Sequence, residues 1–211
     1  TISEILRIKS AYFPIKGVTA HSTSGTPVDC VKLAIYKVLG RKPDLILSGI
    51  NHGSNSSINV IYSGTMSAAV EGAVESINAI GFSLLDHDTD ADFSNAKKVV
   101  RQMTLEVLKR GLPHGVCLNV NIPKTSEGVK LKGIKVCRQA AGYWEDGFDE
   151  RKAPNKESYF WLTGEFTNPD KGEDTDEYAL SQGYASVVPT QFDLTAHHAI
   201  AELNSWGLKW T

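Results

Sequence analysis

The amino-acid sequence predicts an α/β fold with a mostly parallel sheet and helices on both of its faces. Three observations lead there. Short apolar runs typical of buried strands alternate with longer stretches whose apolar residues recur at helical spacing. They come in the order strand, helix, strand, helix, which is the order of βαβ units. Right-handed crossovers between parallel strands then distribute the helices over both faces.

The first helix is expected over residues 28–39, where Val28, Val31, Ala34, Ile35 and Val38 share a face. Gly25-Thr26-Pro27-Val28-Asp29-Cys30 opens it, with Thr26 as N-cap, Pro27 as first helical residue and Asp29 as a first-turn carboxylate. Residues 44–48 (D-L-I-L-S), introduced by Pro43, predict a buried strand. An Ala-rich helix follows over 65–74, with Met66, Ala69, Val70 and Ala73 in phase, and a second strand over 79–85 (A-I-G-F-S-L-L). Residues 93–108 predict a longer amphipathic helix. Val99, Val100, Met103, Val107 and Leu108 face inward, and Lys109-Arg110-Gly111 ends it with basic residues and then glycine. A third strand is expected over 116–122 (V-C-L-N-V-N-I).

Beyond about Arg138 the texture changes. Residues 140–155, rich in charge, glycine and aromatics, read as a long connection. Residues 159–166 (Y-F-W-L-T-G-E-F) and 183–189 (G-Y-A-S-V-V-P) read as strands, 168–177 as an acidic loop, and 195–206 as a closing helix. The expected organisation is one domain over 1–211, with an α/β core to about residue 138 and an extension over 139–211. An aromatic strand pair projecting from such a core is either an oligomerisation arm or an extension packed on its own core. Trp144, Trp161, Trp206 and Trp210, all in this half, are expected in core or subunit contacts.

Composition narrows the function classes. The chain has 211 residues, 41% hydrophobic and 22% charged, with a formal net charge of -2. A protein that coats nucleic acid shows a basic excess or stripe, and neither occurs. No apolar run approaches the ~20 residues that span a bilayer. Residues 1–9 mix charges with apolar positions and do not read as a signal peptide. Cys30, Cys117 and Cys137, an odd number at wide spacing, read as reduced, buried thiols of a cytoplasmic protein.

The chemistry concentrates between Gly25 and Gly72. Ser48-Gly49-Ile50-Asn51-His52-Gly53-Ser54-Asn55 follows the strand at 44–48, and in open α/β sheets ligands bind beyond the carboxyl ends of strands. Gly49 and Gly53 allow a tight turn and close backbone approach. Asn51 and Asn55 offer amide oxygens suited to Mg²⁺ or Mn²⁺ and amide donors suited to phosphate. The plain alternative is an Asn/Gly turn. Next, Tyr62-Ser63-Gly64-Thr65 precedes the Ala-rich helix. Ser63 caps it, and the N–H groups of Gly64 and Thr65, with the hydroxyls of Ser63 and Thr65, form an anion site. The plain alternative is an ordinary capped helix.

Three motifs in this order resemble the SurE survival-protein family. They are Ser-Gly-Thr-Pro-x-Asp-Cys at 24–30, Pro-Asp-Leu-x-x-Ser-Gly-Ile-Asn-x-Gly-x-Asn at 43–55, and Tyr-Ser-Gly-Thr-Met-x-Ala-Ala-x-Glu-Gly at 62–72. The likeness continues through Gly81-Phe82-Ser83, Leu118-Asn119-Val120-Asn121-Ile122-Pro123 and Phe160-Trp161-Leu162-Thr163-Gly164. The resemblance implies a Rossmann-like three-layer core, a β-hairpin extension and a swapped C-terminal arm, assembled as a homodimer or homotetramer. It also implies a divalent-metal-dependent (Mg²⁺ or Mn²⁺) phosphatase of nucleoside 5′- or 3′-monophosphates. Asn51 matches the family's metal-ligand asparagine. Ser63, Gly64 and Thr65 match its phosphate-binding turn, and Asn55 lies in the same loop. The family pattern begins with a strand and Asn-Asp-Asp-Gly, followed later by Ser-Gly-x-Ser, and these complete the metal site. No such Asp-Asp pair occurs before Gly25. The expectation is that the sequence starts inside the domain, with the catalytic aspartates upstream of Thr1. A non-catalytic phosphate- or nucleotide-binding module is the competing class.

Other chemistries find less support. There is no Gly-x-Ser-x-Gly elbow and no P-loop motif. His197 and His198 are adjacent on a helix and point ~100° apart, so they do not readily share an ion. His52 reads as a solvated loop residue. Asp86, Asp88 and Asp90 alternate in a loop but lack the glycine and distal glutamate of a calcium loop. Arg138, Gln139 and Tyr143 are weaker candidates for contact with a substrate base.

Overall fold

The computed structural model describes residues 5–125 and 131–208. Expectations attached to residues 1–4 and to Trp210 lie outside the described residues. The chain opens with a small antiparallel hairpin, β1 (Ile8–Ala11) and β2 (Ala20–Thr23), whose second strand and pairing the sequence reading missed. Helix α1 (Pro27–Leu33) follows and continues as a π-helical stretch, Ala34–Leu39, until Gly40 closes it in the left-handed region at φ 64°. Its start carries the expected Thr26 cap, and Asp29 completes a capping box with it. Asp29 N–H donates to Thr26 Oγ1, while Thr26 N–H donates to Asp29 Oδ2 at 2.8 Å. These bonds hold the Asp29 carboxyl below its ordinary range.

The central sheet contains β3 (Ile46–His52), β4 (Ala79–Leu85), β5 (Val116–Pro123), β6 (Ile134–Val136) and β9 (Ala185–Gln191), in the order β3-β4-β5-β9-β6. β3, β4 and β5 are parallel and β6 is parallel to β9. Only the β5–β9 pairing is antiparallel, so the sheet is mostly parallel as expected. Helix α2 (Gly64–Val74) crosses from β3 to β4 and α3 (Ser94–Arg110) from β4 to β5.

Strand alternation assigns the two faces. Ile80, Phe82 and Leu84 of β4, with Leu118, Val120 and Ile122 of β5, form one apolar layer with Ala96, Val99 and Val107 of α3. The intervening residues, Ala79, Gly81, Ser83, Cys117, Asn119 and Asn121, are small or polar. They let α2 approach closely: a Cβ on Gly81 would lie 2.4 Å from Met66 Sδ. Val38 and Leu108, expected inward, are exposed because they fall at helix ends that run past the sheet.

Past residue 138 the structure corrects the reading. Residues 140–155 are not a connection. They contain β7 (Tyr143–Lys152), paired antiparallel over its whole length with β8 (Ser158–Thr167). The strand at 183–189 is β9. It lies inside the central sheet, so residues beyond 138 contribute to the core. Within the stretch read as an acidic loop begins α4 (Asp176–Ser181), capped by Thr175, whose hydroxyl accepts from Tyr178 N–H. The closing helix is a 3-10 turn, His197–Ala199, followed by α5 (Ile200–Ser205), with no buried residue in either.

Candidate active site

Asn51 sits at the end of β3 rather than in a loop beyond it, because the strand runs four residues past Ser48. The register with β4 slips between Ser48 and Asn51. Gly49, at φ +114°, makes the slip possible, since a Cβ there would lie 2.4 Å from Phe82 O. Gly53 turns the chain at φ +96°, donating its N–H to Leu84 O at 2.8 Å. The half-buried Asn51 side chain donates its amide to Gly53 O at 3.3 Å. Its carbonyl oxygen has no hydrogen-bond partner among the described residues.

Across from it, a 3-10 turn (Ser57–Tyr62) leads into α2. Ser63 caps the helix, its Oγ accepting from Met66 N–H at 3.0 Å. The N–H groups of Gly64 and Thr65 have no acceptor inside the helix and point out of its N-terminus. Asn51, Ser54, Asn55, Ser63, Gly64 and Thr65 line one cleft of ≈ 410 Å³, whose rim includes Pro27, Asn59 and Tyr62. The two sequence motifs therefore face the same space, and the helix opening at Thr26 borders it. Tyr62 is 72% exposed, whereas Asn59 is fixed by Trp144 at the base of β7, whose Nε1–H donates to Asn59 Oδ1 at 2.8 Å.

Asn55 is only 3% exposed and forms the cleft floor. It is held in a closed amide network. Asn55 N–H donates to Asn121 Oδ1 (2.8 Å), Asn121 Nδ2 to Asn119 Oδ1 (2.9 Å), and Asn119 Nδ2 to Asn55 O (2.8 Å). The Asn55 amide nitrogen itself donates to Ser83 Oγ. That donor is engaged internally, so Asn55 offers the cleft its carbonyl oxygen. The sequence reading passed over Ser83, Asn119 and Asn121. Their signal was present in L-N-V-N-I, two amides at alternate positions of a buried strand, where unpaired polar groups are costly. Also missed were Ser56, bonded to the Glu177 carboxyl, and Asp176, bonded to Ser57 N–H at 2.8 Å. Burial pushes the Glu177 carboxyl above its ordinary range.

Other candidates lie elsewhere. Arg138 is gripped by Asp170, at 2.6 and 3.0 Å, and by Asp174 at 2.9 Å. Together with Gln139 it lines a larger, apolar cleft of ≈ 730 Å³ between α2 and β9, whose lining includes neither Asn51 nor Ser63, Gly64 and Thr65. Tyr143 is outside both clefts. Lys124 binds Asp86 and Asp88, offsetting part of the acidic run's charge, and holds the Asp86 carboxyl below its ordinary range. His52 Nδ1 meets Asp86 O at 3.0 Å, and His197 pairs with Asp193. Among the described residues no group of three His, Cys, Asp or Glu side chains is arranged to hold a metal. Among the described residues the cleft lining supplies amide and hydroxyl oxygens but no carboxylate. By themselves these residues do not complete a site for a divalent cation, which takes carboxylates.

Comparison with known proteins gives a consistent result. The family model described as "Survival protein SurE" matches residues 1–146. The chain is 62% identical over 208 residues to the 5'-nucleotidase SurE of Flavobacterium psychrophilum, covering 99% of this chain and 80% of that protein. It is 42% identical over 211 residues to the 5'-nucleotidase SurE of Chlorobaculum tepidum, covering 100% of this chain and 79% of that one. The crystal structure of the SurE protein from Aquifex aeolicus superposes with a TM-score of 0.80 at 33% identity, over 99% of this chain and 82% of that chain. With its three motifs meeting at one cleft and relatives alike over nearly the whole of this chain, the chain belongs to the SurE survival-protein family.

Proposed function

We propose that the chain is a phosphomonoesterase that hydrolyses nucleoside 5′-monophosphates to nucleoside and phosphate, with 3′-monophosphates as further substrates. The observation that carries this reading is the shared cleft, in which the Asn51 amide faces the first turn of α2. That the relatives are named 5'-nucleotidases supports the same choice of substrate.

The residues act as follows. The N–H groups of Gly64 and Thr65 and the hydroxyls of Ser63 and Thr65 bind the phosphoryl oxygens. The positive end of the α2 dipole favours the negative charge that builds there in the transition state. The Asn–Ser network under Asn55 keeps the floor rigid, so these donors need little reorganisation during reaction. A divalent cation, Mg²⁺ or Mn²⁺, would supply Lewis-acid chemistry, and Asn51 is the described residue suited to ligate it. The described lining lacks the carboxylates such an ion needs, so Asn51 alone among these residues would not hold it. The exposed aromatics of the hairpin, Phe148, Phe160 and Trp161, and the exposed segment 195–208 support assembly as a homodimer or homotetramer. A closing segment swapped between subunits belongs to the same reading. No described helix is long and apolar enough to cross a membrane, and the free cysteines fit a reducing, cytoplasmic setting.

Asn51→Ala and Thr65→Ala test the assignment. Each is expected to lower kcat/KM on nucleoside 5′-monophosphates by about 10²-fold, the scale of losing one transition-state donor, with the circular dichroism spectrum unchanged. Chelation is expected to abolish turnover, and Mg²⁺ or Mn²⁺ to restore it. Wild-type rates in both variants refute the site. Phosphate binding without turnover under any metal selects a binding module instead.

A further inference from the structure

The first residue of α4 carries a carboxylate with no exposed surface. Asp176 is 0% exposed, and its two oxygens accept three backbone hydrogen bonds from three different segments. Oδ2 accepts from Ser57 N–H at 2.8 Å. Oδ1 accepts from Ala140 N–H at 2.9 Å and from Glu177 N–H at 2.8 Å. A carboxylate that only capped its own helix would need the last of these alone. The other two reach out, to the start of the 3-10 turn that leads to Ser63 and to the irregular segment between β6 and β7 that leads into the hairpin.

Ser57 is where those segments cross. It is fully buried at φ +51°, a conformation that a residue with a side chain holds only when its surroundings impose it. Its Oγ donates to Ala140 O at 2.8 Å and accepts from Gly142 N–H at 3.0 Å, and its N–H is the one taken by Asp176. Two residues upstream, Asn55 is fixed from the sheet by Asn119 and Asn121. Between them Ser56 donates its hydroxyl to Glu177. The segment 55–57 is thus clamped from the sheet on one side and from α4 on the other. The short 3-10 helix Ser57–Tyr62 then separates it from the N–H groups of Gly64 and Thr65.

We propose that Asp176 is a positioning residue for the phosphate turn. Its carboxylate fixes Ser57 and, through the turn Ser57–Tyr62, sets where the first amides of α2 stand against Asn51. It touches no substrate. This rests on the phosphomonoesterase reading, because the geometry being set is that of the phosphoryl group. It also ties the hairpin base, through Ala140, to the same anchor, so that the hairpin and the phosphate turn share one fixed point.

The test uses inorganic phosphate as the probe, with binding followed by calorimetry in the presence of Mg²⁺ or Mn²⁺. Asp176→Asn keeps the shape but offers only one acceptor oxygen and sets an amide N–H₂ against a backbone N–H. It is expected to weaken phosphate binding about tenfold and to raise KM for the nucleotide alongside, as small misplacements of binding groups do. Thr175→Ala is the comparison. It removes the α4 cap without touching Ser57, and is expected to lower the melting temperature while phosphate affinity stays at the wild-type level. Should the two variants lose affinity in proportion to their loss of melting temperature, or should Asp176→Asn bind phosphate as wild type does, the positioning role is overturned. A measurement on the unmodified protein covers the case in which Asp176→Asn does not fold. Phosphate is expected to slow hydrogen exchange at Ser57 and Ala140 together, and unchanged exchange at both overturns the proposal. Wild-type protein that binds no phosphate at all refutes the phosphomonoesterase reading, and this proposal with it. Wild-type binding with an unaffected variant refutes the proposal alone.

Discussion

Single atoms decide how Asn51 reaches the cleft. The Cβ that any other residue would carry at position 49 collides with the backbone carbonyl of Phe82, and at position 53 with the ring of His87. Both glycines were legible in the sequence as turn formers. That the strand continues through the first of them was not, because a register slip depends on the neighbouring strand. The cysteines show the same limit. All three read as buried, but Cys30 is exposed on the outer side of α1, while Cys117 and Cys137 are buried. Burial pushes the Cys117 thiol up to about 11, and raises that of Cys137 as well. In native protein at pH 8, one thiol is expected to react quickly with an aromatic disulfide reagent and the other two only on unfolding. Two or more fast thiols by absorbance would contradict the burial.

At the scale of the element, the division of labour between strand faces explains both stability and site. β4 and β5 turn Ile80, Phe82, Leu84, Leu118, Val120 and Ile122 toward α3, and Ser83, Asn119 and Asn121 toward the cleft. The first set reads as an apolar run from sequence, and the second is hidden in its gaps. Phe82, 1% exposed, should be the costlier truncation. Phe82→Ala is expected to lose about 3–5 kcal/mol in urea unfolding, whereas exposed Leu108→Ala stays within about 0.5 kcal/mol. Equal losses would mean that the apolar layer does not carry the fold. The hairpin was only half legible for a related reason. β8 has an aromatic, apolar run, but its partner β7 is Y-W-E-D-G-F-D-E-R-K, mostly charged and exposed. Its strand character comes from pairing with β8 along ten residues, which no local pattern in β7 announces.

Across the whole molecule, the parallel part of the sheet and its two crossover helices were legible because each is a local pattern followed in sequence order. What joined the second half to the first was not, since β9, α4 and the hairpin base meet the core through contacts more than sixty residues distant, such as Ser57 with Asp176. Those long-range polar contacts also shape the response to acid. Lys124 and Asp88 N–H hold Asp86 below the ordinary carboxyl range, Arg138 does the same for Asp170, and the hydroxyl and N–H of Thr195 with His197 bring Asp193 to about 2. A carboxyl whose folded value is depressed stabilises the fold above its unfolded value, near 4, and loses that contribution as pH falls toward the folded value. Glu177 acts in the opposite sense. Its raised value gives stability below about 4.3 that fades as pH rises through the folded value. Asp29, Asp92 and Glu106 are depressed as well, so the depressed carboxyls outweigh the one raised group, and the melting temperature is expected to vary little from pH 7 to about 5.5 and to fall steeply below about pH 4. Lys124, Arg138 and His197 are about half exposed or more, whereas Asp86 and Asp170 are mostly covered, so added salt should make that fall only moderately shallower. Lys124→Ala should likewise flatten the part contributed by Asp86. Melting curves that do not shift between pH 6 and 3 would show that these pairs, though formed, leave the folded state no more stable than the unfolded chain leaves its own carboxylates.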